Sequence, residues 1–350
     1  MARKVSIQVL ADELGLSKYA VSRALSGKSG VSEATRQRVI ELAKSLGYQK
    51  ASFSQPSETG RESDAPSPFI LICMRHIHSG NHSYWQRVLN GMLMSCDQQG
   101  LPYVIVSPEL EAAKLTGEPE SPQHMLAPHL DWTRCGGIVV MGTFPHSILG
   151  LVARAERPYV LVDHVDPLIS CDKINNDNIE AGSIITRHLL SLHCTHLGFI
   201  TDKAWSASFA DRLAGARSAM DSPHGTEARL TEWRIPYGEP GWENALYQQF
   251  VHTEPDKRPD AWIGANDDIA IRWMRKLQAE GISIPESARI AGIDNVEAST
   301  LVSPQLTTVN LCKEELGGRA IEALLRRIER PGAPMESIHL STRLIPRAST

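Results

Sequence analysis

Four polar side chains lie close together near the amino terminus of the 350-residue chain, where they could make specific contacts if one helix carries them. They are Lys18, Tyr19, Ser22 and Arg23. Lys and Arg donate hydrogen bonds to the O6 and N7 atoms of guanine, and an α-helix fits the major groove of DNA. The same basic face would also suit a protein-interaction module whose charges are only solvated. Both interpretations require a helix that exposes these four side chains.

Three short helices are predicted within residues 1–50 from the spacing of apolar residues. The first ends at Gly15, the second starts after a tight turn with Ser17 as its N-cap, and the third runs from Ser32 to Gly47. Their buried positions are Ile7, Leu10, Ala11 and Leu14, then Ala20, Val21, Ala24 and Leu25, then Val39, Leu42, Ala43 and Leu46. A tight turn between the first two helices is typical of a helix-turn-helix.

Charge separates this segment from the rest of the chain. Residues 1–50 carry nine Lys and Arg against four Asp and Glu, whereas the whole chain has a net charge of -4. A basic module on an acidic body is typical of a protein that binds a polyanion. Serine hydroxyls and free N–H groups at helix starts are expected to hold phosphates, and the candidates are Ser6, Ser17, Ser26 and Ser32.

Composition excludes several other classes of protein. With 42% hydrophobic and 22% charged residues, the chain is expected to fold into about two globular domains. No apolar run reaches the ~18 residues of a membrane span, and the amino terminus does not resemble a signal peptide. The six cysteines form no C-x-x-C pair, which argues against zinc clusters and a disulfide framework. We therefore expect a cytoplasmic protein with no membrane partner.

From Phe69 onward, short apolar runs alternate with helical stretches. Continuous rather than alternating hydrophobicity predicts parallel strands that are covered on both faces. Seven strands are more than we expect in one sheet of this kind. We therefore expect two doubly wound subdomains with a ligand between them. The runs are 69–74, 103–106, 137–141, 159–162, 197–200, 261–264 and 289–293.

The first fifty residues closely resemble the headpiece of the LacI/GalR family of bacterial transcription regulators. The resemblance rests on residues 7–17, on Ala20 to Ser26 with the recognition-helix signature Val21-Ser22-Arg23, on Val31 to Val39, and on Leu46-Gly47-Tyr48. It implies that Lys18, Tyr19, Ser22 and Arg23 choose the operator bases.

The segment after the headpiece departs from that family. Its members continue with a Pro-Asn pair and a hinge helix whose leucine wedges into the minor groove. This chain has residues 51–68 instead, rich in serine and containing Pro56, which reads as a flexible linker or atypical hinge. Phe53 could replace the leucine as an apolar wedge, or could simply be a linker residue.

The resemblance extends over the body. Asn175 to Gly182 is similar to the family's D-N-x-x-G motif, and Ser208 to Gly215 to its S-x-x-x-R-x-x-G motif. Ala265-Asn266-Asp267, Gly292 to Asn295 and Ser303 to Val309 match three further family motifs. The resemblance implies a two-lobed α/β effector domain of the type I periplasmic-binding-protein class, with doubly wound parallel sheets.

Family membership would assign several residues to effector binding. Arg212, Asn266 and Asp294 stand where family members hydrogen-bond the effector, and Asp163 is a candidate from the first subdomain. Arg and carboxylate groups can each bind neighbouring hydroxyls, as a sugar or polyol requires. A structural ion pair between Arg212 and Asp294 is the alternative for those two residues. Trp242 could stack on a sugar or pack in the core, and Tyr84 and Trp85 are further aromatic candidates.

These expectations define an organisation of three segments. Residues 1–50 form an all-α DNA-binding headpiece, 51–68 a linker, and 69–350 an effector-binding and dimerisation domain. Two interleaved subdomains are expected at roughly 69–172 plus 312–334 and at 173–311 plus 335–350.

The expected function is a ligand-responsive, sequence-specific transcriptional regulator, a repressor controlled by a small sugar or related metabolite. It would act as a homodimer on pseudo-palindromic double-stranded operator DNA, in the cytoplasm and associated with the nucleoid. The alternative is a stand-alone sugar-binding protein without a DNA-linked response. That class is opposed by the headpiece and by the lack of a signal peptide.

An enzyme is not expected. The chain has no G-x-S-x-G, P-loop, G-x-G-x-x-G after a strand, or H-E-x-x-H motif. His76, His78 and His82, or Asp163 with His164, lack the further groups that a metal site or a catalytic dyad would need. We therefore expect no catalytic residue, no metal and no cofactor.

Overall fold

The chain divides into two compact units, Met1–Asp64 and Ala65–Thr350. A computed structural model describes residues 7–16, 21, 32, 35, 37–39, 42, 67–75, 83–108, 121–204, 206–221 and 228–350.

In the first unit, helix α1 (Ile7–Leu14) ends before Gly15, whose φ of +64° is a conformation that favours glycine. Leu10 and Ala11 of this helix form a buried cluster with Val21 and Val39. Ser32 Oγ accepts a hydrogen bond from the Thr35 backbone N–H at 3.2 Å, which is N-cap geometry. The predicted first helix and these apolar positions are confirmed.

Most of the predicted DNA contacts lie outside the described residues. These are Lys18, Tyr19, Ser22, Arg23, Ser6, Ser17 and Ser26, together with Phe53 and the linker up to residue 66. Ser32 is described and exposed. Their roles at DNA stay predictions.

The second unit contains twelve described strands and nine described α-helices beyond α1. The strands are β1 (Phe69–Met74), β2 (Tyr103–Val106), β3 (Cys135–Met141), β4 (Tyr159–Val162), β5 (Asp172–Asn176), β6 (His196–Asp202), β7 (Arg229–Ile235), β8 (Ala261–Gly264), β9 (Arg289–Asp294), β10 (Thr307–Asn310), β11 (Ser337–Leu340) and β12 (Arg343–Ile345). The helices are α2 (Ser83–Gln99), α3 (Pro122–Leu126), α4 (His146–Arg154), α5 (Asn178–Ser191), α6 (Ala207–Met220), α7 (Trp242–His252), α8 (Asp267–Ala279), α9 (Ala298–Leu301) and α10 (Lys313–Glu329). None of the helices the structure describes is long and apolar enough to cross a membrane.

Two six-stranded sheets organise this unit into two lobes. The first sheet has the order β11-β5-β4-β3-β1-β2 and the second β12-β10-β9-β8-β6-β7. The pairings are parallel except that β12 runs antiparallel to β10. All seven apolar runs are strands, so the prediction of two doubly wound sheets is confirmed. We call the part built on the first sheet, with α10 packed against α2 and β3–β5, the first lobe, and the other part the second lobe.

The chain passes between the lobes at three crossovers. They connect β5 to α5, β10 to α10, and β11 to β12. Hydrogen bonds tie the crossovers together, because the Cys312 N–H donates to Asn176 Oδ1 at 3.0 Å and the Thr342 N–H to Glu180 Oε2 at 2.6 Å. The crossovers therefore form one connected hinge.

The predicted subdomain boundaries differ from this arrangement at two strands. Strands β5 and β11 pair with each other in the first sheet, whereas 173–311 and 335–350 were expected in the second subdomain. The strand β5 has the polar sequence DKINN, which does not match the continuous apolar pattern of a buried parallel strand. The chain therefore changes lobes several residues later than expected.

Candidate functional site

A cavity of about 150 Å³ lies between the two lobes, at the carboxyl ends of the strands. The first lobe contributes Asp163 and His164, which follow β4, and Asn175 on β5. The second lobe contributes Ser208 and Asp211 from α6. Open parallel sheets bind ligands at this edge, so the topology itself accounts for the position of the cavity.

Asp163 is held at the cavity by a short network. Tyr84 donates its hydroxyl hydrogen to Asp163 Oδ2 at 2.8 Å, and Asn176 Nδ2 donates to the Tyr84 hydroxyl oxygen at 3.2 Å. Burial raises the pKa of Asp163, while Arg212 and the hydrogen bond from Tyr84 oppose that rise. Its backbone φ of +52° is unusual for a residue with a side chain, and such conformations concentrate at functional sites.

Arg212 lies beneath the cavity with 3% of its surface exposed. Its Nε donates to Asn178 Oδ1 at 2.9 Å and its Nη1 to the Ala265 carbonyl at 2.6 Å. Its Nη2 lies 3.1 Å from Asp294 Oδ1. The guanidinium thus ties together the starts or ends of α5, β8 and β9. The ion pair with Asp294 lies within the second lobe, and contact of either residue with a ligand stays a prediction.

Asp294 ends β9 in a strained conformation, with φ of +133°. Burial is the main reason why its pKa is raised, and Asp267 and Asp163 add to the rise while Arg212 and Lys313 oppose it. The buried Lys313 ammonium, at the start of α10, donates hydrogen bonds to the Asp294 and Leu311 carbonyls. A first-lobe helix is thereby attached to the end of a second-lobe strand.

Asn266 acts first as a helix cap. Its Oδ1 accepts a hydrogen bond from the Ile269 N–H at 2.9 Å at the start of α8. Its Nδ2 donates to the Tyr237 hydroxyl oxygen at 3.2 Å, and that hydroxyl donates to Asp268 Oδ2 at 3.0 Å. Burial raises the pKa of Tyr237, so the phenol stays a neutral donor.

The structure places Trp242 in the core of the second lobe, with only 2% of its surface exposed. The Arg272 guanidinium lies 4.8 Å from the centre of its ring. Of the two interpretations of Trp242 left open by the sequence, the structure shows core packing. Trp85 is partly buried and meets Tyr84 edge-on, with 5.0 Å between ring centres.

Several residues at the cavity were missed by sequence reasoning. Asn175 belongs to a segment that was singled out only for its similarity to the family's D-N-x-x-G motif. His164 was considered only as half of a catalytic dyad. Asp211 lies within the motif from Ser208 to Gly215, in which only Arg212 was singled out, and His339 on the edge strand β11 carried no signal. Burial raises the pKa of Asp211, whereas His339 and Arg212 oppose the rise.

The fold and the cleft define a class of protein, a two-lobed small-molecule-binding body preceded by a helical module. Residues 186–350 match a periplasmic binding protein-like domain, and residues 6–50 match the family of bacterial regulatory proteins named after lacI. Because both parts of the chain match, the resemblance to the LacI family of bacterial transcription regulators is confirmed.

Relatives and solved structures agree with that assignment. The HTH-type transcriptional repressor PurR of Aliivibrio fischeri is 27% identical over 350 residues, with 98% of each chain covered. The lac repressor dimer bound to operator and the anti-inducer ONPF is similar with a TM-score of 0.65 and 19% identity, covering 99% of each chain. A complex of the transcriptional regulator CelR with cellobiose gives the same TM-score and identity, covering 99% of this chain and 100% of the other. The predicted function, a ligand-responsive DNA-binding repressor rather than an enzyme, is confirmed.

Proposed function

We propose that a small effector, a sugar or a related metabolite, binds in the cavity between the lobes and sets the angle at which they close. The observation that carries this proposal is that both lobes wall the cavity, beside the three crossovers. A ligand that touches both walls stabilises one closure angle over others. That angle sets the relation between two headpieces in a homodimer and hence the affinity for operator DNA.

Two side chains are proposed to meet the effector, one from each lobe. Asp163, fixed by Tyr84, accepts hydrogen bonds from ligand hydroxyls on the first-lobe side. Asn266, with its amide close to Tyr237, serves on the second-lobe side. Arg212 and Asp294 act mainly by holding the strand ends in place, and Trp85 supports Tyr84 through their edge-on contact.

At DNA, we propose that Lys18, Tyr19, Ser22 and Arg23 read bases while Ser6, Ser17, Ser26 and Ser32 contact phosphates. The names of the relatives support a repressor, and the lac repressor structure is a dimer on its operator. Exposed apolar side chains on the edge strand β2, Tyr103 at 36% and Ile105 at 40%, support a homodimer. We further propose a cytoplasmic protein associated with the nucleoid, because its proposed operator is chromosomal DNA.

The DNA side is tested by selecting binding sites from a random duplex library with the purified full chain. We expect a pseudo-palindrome whose half-sites lie about one helical turn apart. Arg23→Ala should relax the preference at one position per half-site and cost about 1–3 kcal/mol there. Uniform weakening on all sequences would assign Arg23 to phosphate, and no enrichment would contradict the function.

The effector side is tested by thermal unfolding against sugars, sugar phosphates, polyols and purines. A ligand at 100 times its Kd should stabilise the protein by about 2.7 kcal/mol. The compound that binds should change operator affinity in the wild type and lose its effect in Asp163→Asn, which still binds operator. An equal thermal shift in both proteins would place the ligand outside the cavity.

A further inference from the structure

The charged side chains of the cavity wall are mainly acidic. Three carboxylates line it, from Asp163, Asp177 and Asp211. The wall residues that the structure describes include no Lys or Arg, and the basic groups among them are the imidazoles of His164 and His339. Such a wall attracts cations and repels anions.

These carboxylates differ from other acidic side chains of the same unit. Asp172 pairs with Arg327 at 2.7 Å and Glu243 with Arg272 at 2.6 Å. The three carboxylates of the cavity form no ion pair with any described residue. Asp163 accepts a hydrogen bond from Tyr84, and Asp177 caps α5 by accepting one from the Glu180 N–H. Arg212, the nearest guanidinium, is already committed to Asp294.

Two buried polar atoms of the same wall lack a partner. They are Nε2 of His164, a residue with 5% of its surface exposed, and Nδ2 of Asn175, a residue with 6% exposed. Buried polar groups in native proteins are nearly always hydrogen-bonded, so an unpaired group requires an explanation. A ligand with hydroxyl groups can pair with both side chains once they rotate towards the cavity, because a hydroxyl can donate as well as accept.

The size of the cavity restricts the ligand further. Its volume of about 150 Å³ equals that of an engineered protein cavity that holds one benzene ring. No group of three or more His, Cys, Asp or Glu side chains within the described ranges is arranged to hold a metal ion. The enclosed part of the cavity therefore suits one ring of an organic cation better than a metal ion.

We propose that the effector is an amino sugar, a single-ring polyol with a protonated amine. The ammonium group faces Asp163 and Asp211, and the hydroxyl groups pair with His164 and Asn175. Asp211 is thus a specificity-determining residue that selects the amine over a neutral or phosphorylated sugar. This inference rests on the proposed function for the location of the site.

The test is calorimetric titration of the full chain with matched sugars at about pH 6.5. The probes are glucosamine, galactosamine and mannosamine, each compared with its neutral parent hexose and the 6-phosphate of that hexose, and adenine as a purine. We expect at least one amino sugar to bind at least tenfold more tightly than its parent, and the phosphates to bind more weakly still. Equal or tighter binding of the parent, a phosphate or adenine, or silence from all three amino sugars, would overturn the inference.

Variants separate specificity from general binding. Asp211→Asn should reduce the preference for the amino sugar over its parent about tenfold, while the affinity for the parent changes less than threefold. Asp221→Asn, the same substitution at the exposed residue that caps the carboxyl end of that helix, is the control and should leave the preference unchanged. If Asp211→Asn does not fold, Asp163→Asn gives the same comparison for the first-lobe wall. An unchanged preference in a folded variant would refute the proposal. Tight binding of a neutral hexose or adenine would also overturn the amino sugar as effector, but would leave intact the proposed function, in which a small effector binds between the lobes.

Discussion

At the scale of single residues, the site is built from polar groups held by other polar groups. Arg212 illustrates this, since its three hydrogen-bonding nitrogens reach Asn178, Ala265 and Asp294. Asp163 and Asp294 each adopt a positive φ at the end of a strand. Such strain persists only where the surroundings fix it, so the carboxylates are pre-positioned before any ligand arrives.

The pKa of Asp294 predicts how stability depends on pH. Burial raises this pKa from 3.8 to about 7. Between these values the folded protein holds a proton that the unfolded chain has released, so rising pH destabilises the fold by at most ~1.4 kcal/mol per pH unit. The stability that the proton on Asp294 contributes is fully present below about pH 4 and fully lost above about pH 7.

Denaturant unfolding from pH 4 to 8 checks this dependence. Relative to Asp294→Asn, the wild type should lose unfolding free energy steadily as the pH rises through that window. Asp256→Asn, an exposed control, should follow the wild type. Parallel profiles for wild type and Asp294→Asn would show that Asp294 ionises at its ordinary pKa.

The burial of Trp242 predicts that this residue affects stability but not ligand binding. Trp242→Leu removes packing volume from the second-lobe core and should cost about 1–3 kcal/mol of unfolding free energy. Affinity for the effector should stay within about twofold. Tyr84→Phe should instead weaken ligand binding, because it removes the hydrogen bond to Asp163. It should also cost about 1–3 kcal/mol of unfolding free energy, because the buried Asn176 amide loses its acceptor. Calorimetry and thermal melting on both variants distinguish the two roles; weaker binding in Trp242→Leu would mean that the indole contacts ligand.

At the scale of elements, two helix pairs pack at unusually close range. A Cβ on Gly182 of α5 would lie 1.8 Å from the Arg212 carbonyl oxygen, and one on Gly215 of α6 would lie 1.9 Å from that of Ile179. The same reciprocal contact joins α2 and α10, where Gly91 meets Glu314 and Gly317 meets Val88, each at 2.0 Å. Each lobe thus has a helix pair that only glycine permits, and each pair includes a helix that starts at a crossover.

Adjacent glycines of α10 provide a matched test of that packing. Gly317→Ala places a methyl group against the Val88 carbonyl and should cost about 1–3 kcal/mol or more of unfolding free energy. Gly318→Ala has open space around it and should be neutral or stabilising by up to ~1 kcal/mol, because alanine favours helices. Urea unfolding compares the two variants directly. Equal effects would mean that the helices separate at no cost.

At the scale of the whole molecule, the three crossovers are joined by hydrogen bonds between Cys312 and Asn176 and between Thr342 and Glu180. Their connection allows the lobes to move as bodies about one hinge while each sheet stays intact. The cavity beside this hinge is where a small ligand has the greatest influence on the angle between the lobes.

Linkage gives a quantitative prediction for the complete regulator. If the effector changes operator affinity by some factor, saturating operator must change effector affinity by the same factor. Calorimetric titration of effector with and without operator duplex measures one factor, and fluorescence anisotropy of labelled operator measures the other. The same titration of effector into Arg23→Ala, at the same duplex concentration, is the control. It separates the effect of operator binding on effector affinity from any effect of DNA in the solution. Unequal factors would show that dimer dissociation or a third state takes part.

The sequence by itself determined the class of each segment. Apolar spacing identified α1 and the seven apolar strands because helix and strand periods are local properties. Apolar spacing did not identify the polar strands. In β5, Asn175 and Asn176 serve the cleft rather than the core, and β10 and β12 are short segments whose pairing depends on distant partners.

The tertiary structure decided how the candidate residues are used. Arg212 and Asp294 are far apart in sequence, so their pairing beneath the cavity depends on how α5 packs against both α6 and β9. The packing of α7 likewise decided that Trp242 lies in the core, and the pairing of β11 with β5 brought His339 to the cavity. Burial, charge pairing and unpaired groups are properties of the packed chain. The chemistry of the wall therefore emerges only when both lobes are folded around it.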